Sequence, residues 1–304
     1  MYRFPFIRLI TAVLLLSCML SLAGCKEKEN ISLGKPAPQV LTPEASNEQT
    51  LGGEPLLLDI SHTGDGYLMA LYTGDAAKAN VQITGADGTT YKYFIENTGE
   101  YTVFPLTGGD GSYLICAYEN IVDDQYANLF TETIDVTLSN EFLPFLYPNQ
   151  FVDFSPDSLA VKKAWELAED SQTDLDALTL VYEFVIHNFT YDDEKAASVA
   201  AGYLPDLDEI YRLKTGICFD YASLMTAMLR SLGIPCKMEI GYSGEVKHAW
   251  IDVYIVSQGW IEHAIEFDGE EWHLMDPTFA SADPSPEMAE YIGDGSNYVL
   301  QYSR

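Results

Sequence analysis

Basic residues are scarce in this sequence. Its 304 residues include 16 Lys and Arg against 46 Asp and Glu, which gives a formal net charge of −30. A nucleic-acid-binding surface needs Lys and Arg to replace the counterions of the phosphates, and charge-driven docking on anionic lipid needs the same residues. We therefore predict no nucleic-acid partner. The charge favours solubility at a crowded cell surface or, as the alternative, attraction of cationic substrates or loose binding of Ca²⁺.

Cysteine is also sparse, with 5 in the whole chain. Cys18 lies within an apolar N-terminal run and Cys25 follows it, so Cys116, Cys218 and Cys236 remain for the folded part. An odd number in an exported protein leaves at least one free thiol. Cys116 and Cys236 lie in apolar strand-like runs, where buried free thiols are expected, although a bridge between them stays open.

Several ligand-binding patterns are missing. The histidines and cysteines lack the spacing of a metal site, and no acidic loop has the regular spacing of a calcium site. No phosphate-binding loop of the P-loop pattern occurs, and Cys218 has no second cysteine at CxxC spacing for disulfide exchange. We therefore predict no cofactor.

The N-terminus has the pattern of a secretory signal. Arg3 and Arg8 precede the apolar run Leu9–Leu22, which is too short to span a membrane. The following Leu22-Ala-Gly-Cys25 resembles the lipobox of bacterial lipoproteins. That resemblance implies cleavage after residue 24 and acylation of Cys25, hence an extracytoplasmic, lipid-anchored protein. The alternative is an ordinary signal peptide with an incidental cysteine.

Two domains are predicted after the signal. Residues 25–50 are polar and proline-containing, which is typical of a flexible tether. Residues 51–140 predict an all-β sandwich of the immunoglobulin-like kind, serving as a spacer or a recognition module. Its predicted strands are Leu56–Ile60, Tyr67–Tyr72, Val81–Ile83, Tyr91–Ile95, Tyr101–Phe104, Tyr113–Tyr118 and Thr133–Leu138.

Residues 150–304 predict an α+β domain, with helices first and an antiparallel sheet after them. Ser155 can cap a helix that continues through Ala168, and Thr173 can cap a second helix. A third, from Cys218 to Leu232, is apolar on nearly every side and is therefore predicted to be buried. The predicted strands are Lys237–Tyr242, His248–Val256, Trp260–Phe267 and Glu271–Met275, the last two joined by a hairpin at Asp268-Gly269.

The buried helix carries the candidate chemistry. Cys218 follows a turn at Gly216 and begins the helix, where unpaired N–H groups favour a thiolate and could bind an oxyanion. His248 opens a strand of the sheet, and Asp276 ends the next strand but one. A carboxylate on a neighbouring strand could hold the imidazole in the tautomer that proton transfer needs.

Separate motifs then occur in the order and spacing of a known family. Gly216-Ile-Cys218-Phe-Asp-Tyr-Ala, Gly233-Ile-Pro, Gly241-Tyr, His248-Ala-Trp-Ile-Asp-Val-Tyr and Trp272-His-Leu-Met-Asp276-Pro-Thr are their sequences here. Over residues 175–280 the chain resembles the bacterial transglutaminase-like family of papain-like cysteine enzymes. The resemblance implies Cys218 as nucleophile, His248 as general base and acid, and Asp276 as the residue that orients the imidazole. Tyr191, in a motif upstream of the cysteine, would line the cleft or pack in the core.

The predicted activity is cysteine acyl transfer on protein or peptide amides at the cell envelope. A Cys218 thioester would be resolved by water or by an amine, and the same three residues serve both outcomes. The alternative is a non-catalytic envelope module that uses the same fold to bind or scaffold surface partners.

Overall fold

The computed structural model describes residues 33–123, 125–262, 265–267, 272–274 and 298–304; residues 265–267 and 272–274 are described by their backbone alone. Residues from 32 onward form one unit. Two hydrophobic cores lie in it, one within residues 56–136 and one within residues 152–261. The signal sequence, Cys25, His263, the turn at 268–269 and Asp276 lie outside the described residues.

The first core lies between two antiparallel sheets with strand orders β1-β2-β3-β6 and β5-β4-β7-β8. Leu58 and Leu68 of one sheet and Val81 and Ile115 of the other are fully buried in it. Each predicted strand overlaps an observed one, whereas β1 was missed. The immunoglobulin-like topology stays a prediction. The strands are β1 Thr50–Gly53, β2 Leu56–Asp59, β3 Tyr67–Tyr72, β4 Ala79–Thr84, β5 Thr90–Ile95, β6 Thr102–Pro105, β7 Gly111–Val122 and β8 Gln125–Val136.

The second core surrounds one helix. Helix α5 has buried residues on every side and packs against other helices and a sheet of order β13-β12-β11-β16. Strands β14 and β15 pair separately, and β9 and β10 form a short parallel pair. The helices are α1 Leu159–Leu167, α2 Asp174–Asn188, α3 Asp193–Ser198, α4 Leu207–Leu213 and α5 Cys218–Arg230. The strands are β9 Thr190–Tyr191, β10 Thr215–Gly216, β11 Cys236–Ser243, β12 Val246–Ile255, β13 Gly259–Ile261, β14 Ile265–Phe267, β15 Trp272–Leu274 and β16 Tyr298–Ser303.

Local capping explains where two of the helices begin. Thr173 Oγ1 accepts from Asp176 N at 3.1 Å and Asp176 Oδ2 accepts from Thr173 N at 3.0 Å, which confirms the predicted start of α2. The predicted start of α1 near Ser155 is wrong. That helix begins at Leu159, whose N–H donates to Asp208 Oδ1 at 2.8 Å, so a distant carboxylate caps it.

Two other predictions are wrong, one about a strand and one about the tether. The segment Trp260–Phe267 is not one strand, because β13 pairs with β12 whereas β14 pairs with β15. The flexible tether does not extend over residues 37–49. Gln39 N donates to Ser231 O at 2.8 Å, and Asn47 N donates to Asp59 Oδ2 at 2.6 Å. This segment therefore lies along the folded body.

Arg304 joins the two cores. Its backbone pairs with Met238 of β11 through hydrogen bonds of 2.8 and 2.9 Å. Its guanidinium carbon lies 5.0 Å from the ring centroid of Tyr91, 4.8 Å from that of Tyr93 and 4.1 Å from that of Phe151. Cation–π contacts of this kind gain strength when they are shielded from water, and Arg304 is only 4% exposed. The sandwich is therefore fixed to the α+β part.

Candidate active site

Cys218 is the first residue of α5 and is half-buried. The turn before it is held by the parallel pair of β9 and β10, in which Gly216 lies opposite Tyr191 and Asp192 N donates to Gly216 O at 2.9 Å. A Cβ at Gly216 would lie 2.7 Å from the Cβ of Asp220, so this turn needs a glycine. The structure thus places Tyr191 beside the turn that leads to Cys218.

Side-chain contacts fix the direction of α5 on β11. Cys236 Sγ lies 3.5 Å from Thr226 Oγ1, and Ser223 Oγ lies 3.1 Å from Met238 Sδ, so the helix runs antiparallel to the strand. Cys218 is five residues before Ser223, about 7.5 Å along a helix at roughly 1.5 Å per residue. A strand rises about 3.3 Å per residue, so the same distance along β11 ends roughly two residues beyond Met238. The start of α5 therefore lies level with residues 240–241 of β11.

His248 lies on β12 at this level. It pairs with Gly241, and the preceding pair on β11 joins Ile240 to Ala249. His248 is 4% exposed, and its ring centroid lies 6.4 Å from that of Trp250. Ala249 packs in the core around α5, and alternation along the strand puts His248 and Trp250 on the opposite face. The structure thus brings the elements that carry Cys218 and His248 into contact, but it places the His248 side chain on the face of β12 opposite α5, so a direct contact between the two side chains stays a prediction.

Gly241 allows β16 and the Trp250 side chain to lie close to β11. A Cβ at Gly241 would collide with Val299 O of β16 and would lie 2.8 Å from the indole of Trp250. The indole in turn packs edge-on against Tyr298, with ring centroids 5.0 Å apart. Glycine is therefore required where β16 and Trp250 approach β11 beside His248.

The third predicted residue, Asp276, lies outside the described residues. Strand β15 ends at Leu274, two positions before it, and pairs with β14. The roles assigned to Cys218, His248, Asp276 and Tyr191 therefore stay predictions.

Sequence reasoning missed a buried carboxylate at the start of α5. Asp220 is 0% exposed. Its Oδ2 accepts from Ile217 N at 2.9 Å and from Lys195 Nζ at 2.5 Å, and its Oδ1 accepts from Tyr203 OH at 2.7 Å. Burial raises the pKa of Tyr203, and the hydrogen bond to Asp220 raises it further. An acidic residue at the third position of a helix was the available signal, because such a side chain can cap the N-terminus.

Of the other two described cysteines, Cys236 is buried as predicted, whereas Cys116 is half-buried like Cys218, so its predicted burial is wrong. All three are free thiols, so no bridge joins Cys116 and Cys236. Cys236 is 0% exposed, and burial raises its pKa to about 12. The Cys236 thiol is therefore inert at neutral pH, as a buried structural cysteine should be.

A second buried acid lies on the sheet. Glu239 of β11 is 1% exposed, and Ser303 Oγ donates to its Oε1 at 3.0 Å. Burial first, and then the charge of Asp252 on β12, raise the pKa of Glu239 well above its usual value. Glu239 therefore favours the protonated form in the folded protein.

The described residues include neither a metal-binding cluster nor a membrane-spanning helix. No group of three or more His, Cys, Asp or Glu side chains in that part of the chain is arranged to hold a metal ion. None of the helices described there is long and apolar enough to cross a bilayer.

Comparison with known proteins assigns the region around this site. Residues 162–265, about a third of the 304-residue chain, match the family model Transglut_core of the transglutaminase-like superfamily. The match spans α2, α5 and β12, and so it includes Cys218 and His248. This region is therefore similar to the core of the transglutaminase-like superfamily.

Individual relatives also match part of this chain. An uncharacterized protein of Bacillus subtilis, YebA, is 31% identical in an alignment of 134 residues that covers 35% of this chain and 17% of that protein. Mouse kyphoscoliosis peptidase is 27% identical in an alignment of 128 residues that covers 38% of this chain and 17% of that protein. A protein-glutamine gamma-glutamyltransferase of Pseudomonas aeruginosa is 26% identical in an alignment of 118 residues that covers 31% of this chain and 16% of that enzyme. The chain thus spans about a sixth of the length of these relatives.

Solved structures give weaker likenesses. A candidate cysteine protease from Cytophaga hutchinsonii aligns over 75% of this chain and 77% of its own, at 16% identity and a TM-score of 0.38. Red sea bream transglutaminase aligns over 70% of this chain and 48% of its own, at 13% identity and a TM-score of 0.28. Scores this low do not establish a shared fold, so the assignment depends on the family model.

Proposed function

We propose that this chain is a lipid-anchored cell-envelope enzyme that transfers acyl groups from protein or peptide amides through a thioester on Cys218. The observation that carries the proposal is the start of α5. A half-buried cysteine begins a buried helix, level with the strand position of His248, inside the region that matches the transglutaminase-like superfamily. Among the relatives, one is named a peptidase and one a glutamyltransferase, so both outcomes of a thioester have a precedent.

In the first step the Cys218 thiolate attacks the carbonyl carbon of a carboxamide or peptide bond. N–H groups in the first turn of α5 stabilise the oxyanion, because the start of a helix offers unpaired donors and a partial positive charge. Collapse of the tetrahedral species breaks the C–N bond, and the His248 imidazolium gives its proton to the leaving nitrogen. The products are a Cys218 thioester and ammonia or an amine.

In the second step His248 accepts a proton from the incoming nucleophile, which attacks the thioester and releases Cys218. Water gives hydrolysis and a primary amine gives transamidation. Asp276 keeps the imidazole in the tautomer that presents a free nitrogen to the thiol. Tyr191 lines the cleft at the turn before the nucleophile, where its strand pairs with Gly216.

The location is part of the proposal. Cleavage after residue 24 and acylation of Cys25 would hold the chain on the outer side of a cell membrane, where its substrates would be envelope proteins or peptides. The sandwich, fixed through Arg304, would hold the active site at a set orientation to those substrates. Mass spectrometry of the mature N-terminus tests the anchor, which an unmodified Cys25 would refute.

Alkylation of the full-length chain in mild detergent tests the active site. Iodoacetamide is applied from pH 5 to 9, and labelling of each cysteine peptide is measured by mass spectrometry. Cys218 should react fast at neutral pH and about tenfold or more slowly in His248→Ala, because the imidazole no longer stabilises the thiolate. His187→Ala is the matched control, since His187 is an exposed histidine on α2.

Turnover is measured on the same samples with a glutamine-containing peptide. Ammonia release, peptide cleavage and incorporation of a fluorescent primary amine separate the three outcomes. Cys218→Ala should abolish all of them. Slow labelling of Cys218, unaffected by His248→Ala and without turnover, would instead support the non-catalytic binding module.

A further inference from the structure

The buried carboxylate of Asp220 lies two residues after the proposed nucleophile, and its contacts reach in two directions. Toward the nucleophile, Oδ2 accepts from Ile217 N at 2.9 Å and so holds the residue that directly precedes Cys218. Toward the surface, the carboxylate binds Lys195 Nζ at 2.5 Å and Tyr203 OH at 2.7 Å. All three partners donate to the carboxylate oxygens.

Both surface partners come from one exposed stretch. Residues 196–202 of this stretch are exposed, whereas Lys195 and Tyr203 at its two ends turn inward. The Lys195 ammonium lies 4.5 Å from the ring centroid of Tyr203, and the Tyr203 ring lies 6.2 Å edge-on from that of Phe219, the residue after Cys218. The stretch is thus pinned beside the start of α5.

We propose that Asp220, Lys195 and Tyr203 form a charge-balanced positioning cluster, which holds the turn before Cys218 in its reactive geometry and keeps a net negative charge away from the thiolate. The proposal rests on the proposed function, since it takes Cys218 as the nucleophile. It assigns no contact with substrate to these residues. They act through the backbone of Ile217 and through their charges.

The charges determine the direction in which each variant should shift the pH profile of Cys218 alkylation. Asp220 alone would place a buried negative charge within one turn of the sulfur, about 5.4 Å of helix, and would oppose thiolate formation. Lys195 cancels that charge. Loss of the lysine should therefore move the midpoint of the pH profile for Cys218 alkylation upward, and loss of the aspartate charge should move it downward. A purely structural role would disturb the turn in both variants but would not produce opposite shifts.

Other charged or titratable groups also face this region. Tyr191 ends β9, and Asp192 caps the start of α3. His248 comes from β12, and Asp206 and Glu209 at the start of α4 act on Tyr203. All of them stay in place in the variants below, so they contribute equally to each profile.

The experiment measures the alkylation rate of Cys218 against pH in the full-length chain with iodoacetamide. Lys195→Met should raise the midpoint by on the order of one pH unit, which is about a tenfold lower rate at a pH below the midpoint. Asp220→Asn should lower it by a similar amount, and Lys195→Arg should restore the parent profile. Tyr203→Phe, which removes a neutral donor, should shift it upward by less.

Lys162→Met is the matched control. Lys162 also pairs with an aspartate, Asp157 at 3.2 Å, but on the exposed face of α1, and its loss changes the net charge equally. Its profile should match the parent. Continued protection of the buried Cys236 thiol shows that each variant is folded. If Asp220→Asn does not fold, the pair Lys195→Met and Lys195→Arg decides the matter.

Unchanged midpoints in Lys195→Met, or shifts in the same direction for Lys195→Met and Asp220→Asn, would overturn the cluster. Because alkylation needs no turnover, the two proposals can fail separately. Opposite shifts without an effect of His248→Ala would uphold the cluster and count against the catalytic pair. A strong effect of His248→Ala without these shifts would do the reverse.

Discussion

Replacement of Arg230 should cost this protein a large part of its stability. Arg230 ends α5, is 1% exposed, and donates to three backbone oxygens: Cys236 O at 2.9 Å, Tyr147 O at 2.6 Å and Arg304 O at 2.8 Å. Burial lowers its pKa to about 10, so the guanidinium stays charged at neutral pH. One side chain therefore satisfies three carbonyl groups that water does not reach.

The magnitude follows from the carbonyls that lose their partner. Arg304 O keeps the hydrogen bond from Met238 N, so Cys236 O and Tyr147 O are the two acceptors left unpaired. A buried acceptor that loses its partner costs roughly 1–3 kcal/mol, so Arg230→Met should lower the free energy of unfolding by about 2–6 kcal/mol. Natural domains have about 5–15 kcal/mol in total. The loss of stability for Arg230→Lys should lie between zero and the loss for Arg230→Met, because an ammonium cannot reach three divergent oxygens at once.

Urea unfolding followed by tryptophan fluorescence measures the loss, as a shift of the midpoint at constant slope. Arg212→Met is the control. Arg212 on α4 pairs with Asp208 at 3.3 Å, but its side chain is 62% exposed, so its loss should cost less than about 1 kcal/mol. A loss for Arg230→Met no larger than that of the control would refute this account of the buried guanidinium.

Three further predictions concern the sheet and its thiols. Cys236 should resist alkylation below about pH 9 while Cys218 reacts, and equal rates measured by peptide mass spectrometry would contradict its burial. Because the pKa of Glu239 is raised by folding, its contribution to stability is complete below about pH 4.5 and is lost as pH rises through the folded value. Urea midpoints from pH 4 to 8 should therefore fall less steeply in Glu239→Gln. Gly241→Ala should lower stability by about 1–3 kcal/mol through overpacking, whereas Gly53→Ala, which meets open space, should show no such clash in thermal unfolding.

Sequence reasoning succeeded where the cause is local. The capping pair of Thr173 and Asp176 lies three residues apart, so the start of α2 could be predicted. The apolar residues all around the segment from Cys218 predicted a buried helix, and α5 is one. The strand around His248 followed from its own pattern of residues. In each case the deciding contacts lie within one element.

Sequence reasoning failed where a residue is held by a partner that is distant in the chain. Leu159 begins α1 because Asp208, 49 positions away, accepts its N–H. Gln39 is held by the end of α5, a contact that no property of the tether sequence announces. The cluster on Asp220 needs a lysine and a tyrosine from an exposed stretch, which separately read as ordinary surface residues. Such pairings depend on the tertiary fold and leave no periodic signal.

The same distant contacts imply that the two cores unfold together. Arg230 binds Tyr147 O, in the segment between the domains, and Arg304 O, at the end of the sheet. The Arg304 side chain in turn lies among rings that include Tyr93 of the sandwich and Phe151 of the connecting segment. A change at the end of α5 should therefore weaken the sandwich too, and Arg230→Met should unfold in one transition when followed by fluorescence and by circular dichroism. If instead the β-sheet signal persisted after the tryptophans were exposed, the sandwich would be stable by itself, and Arg304 would connect two independent units.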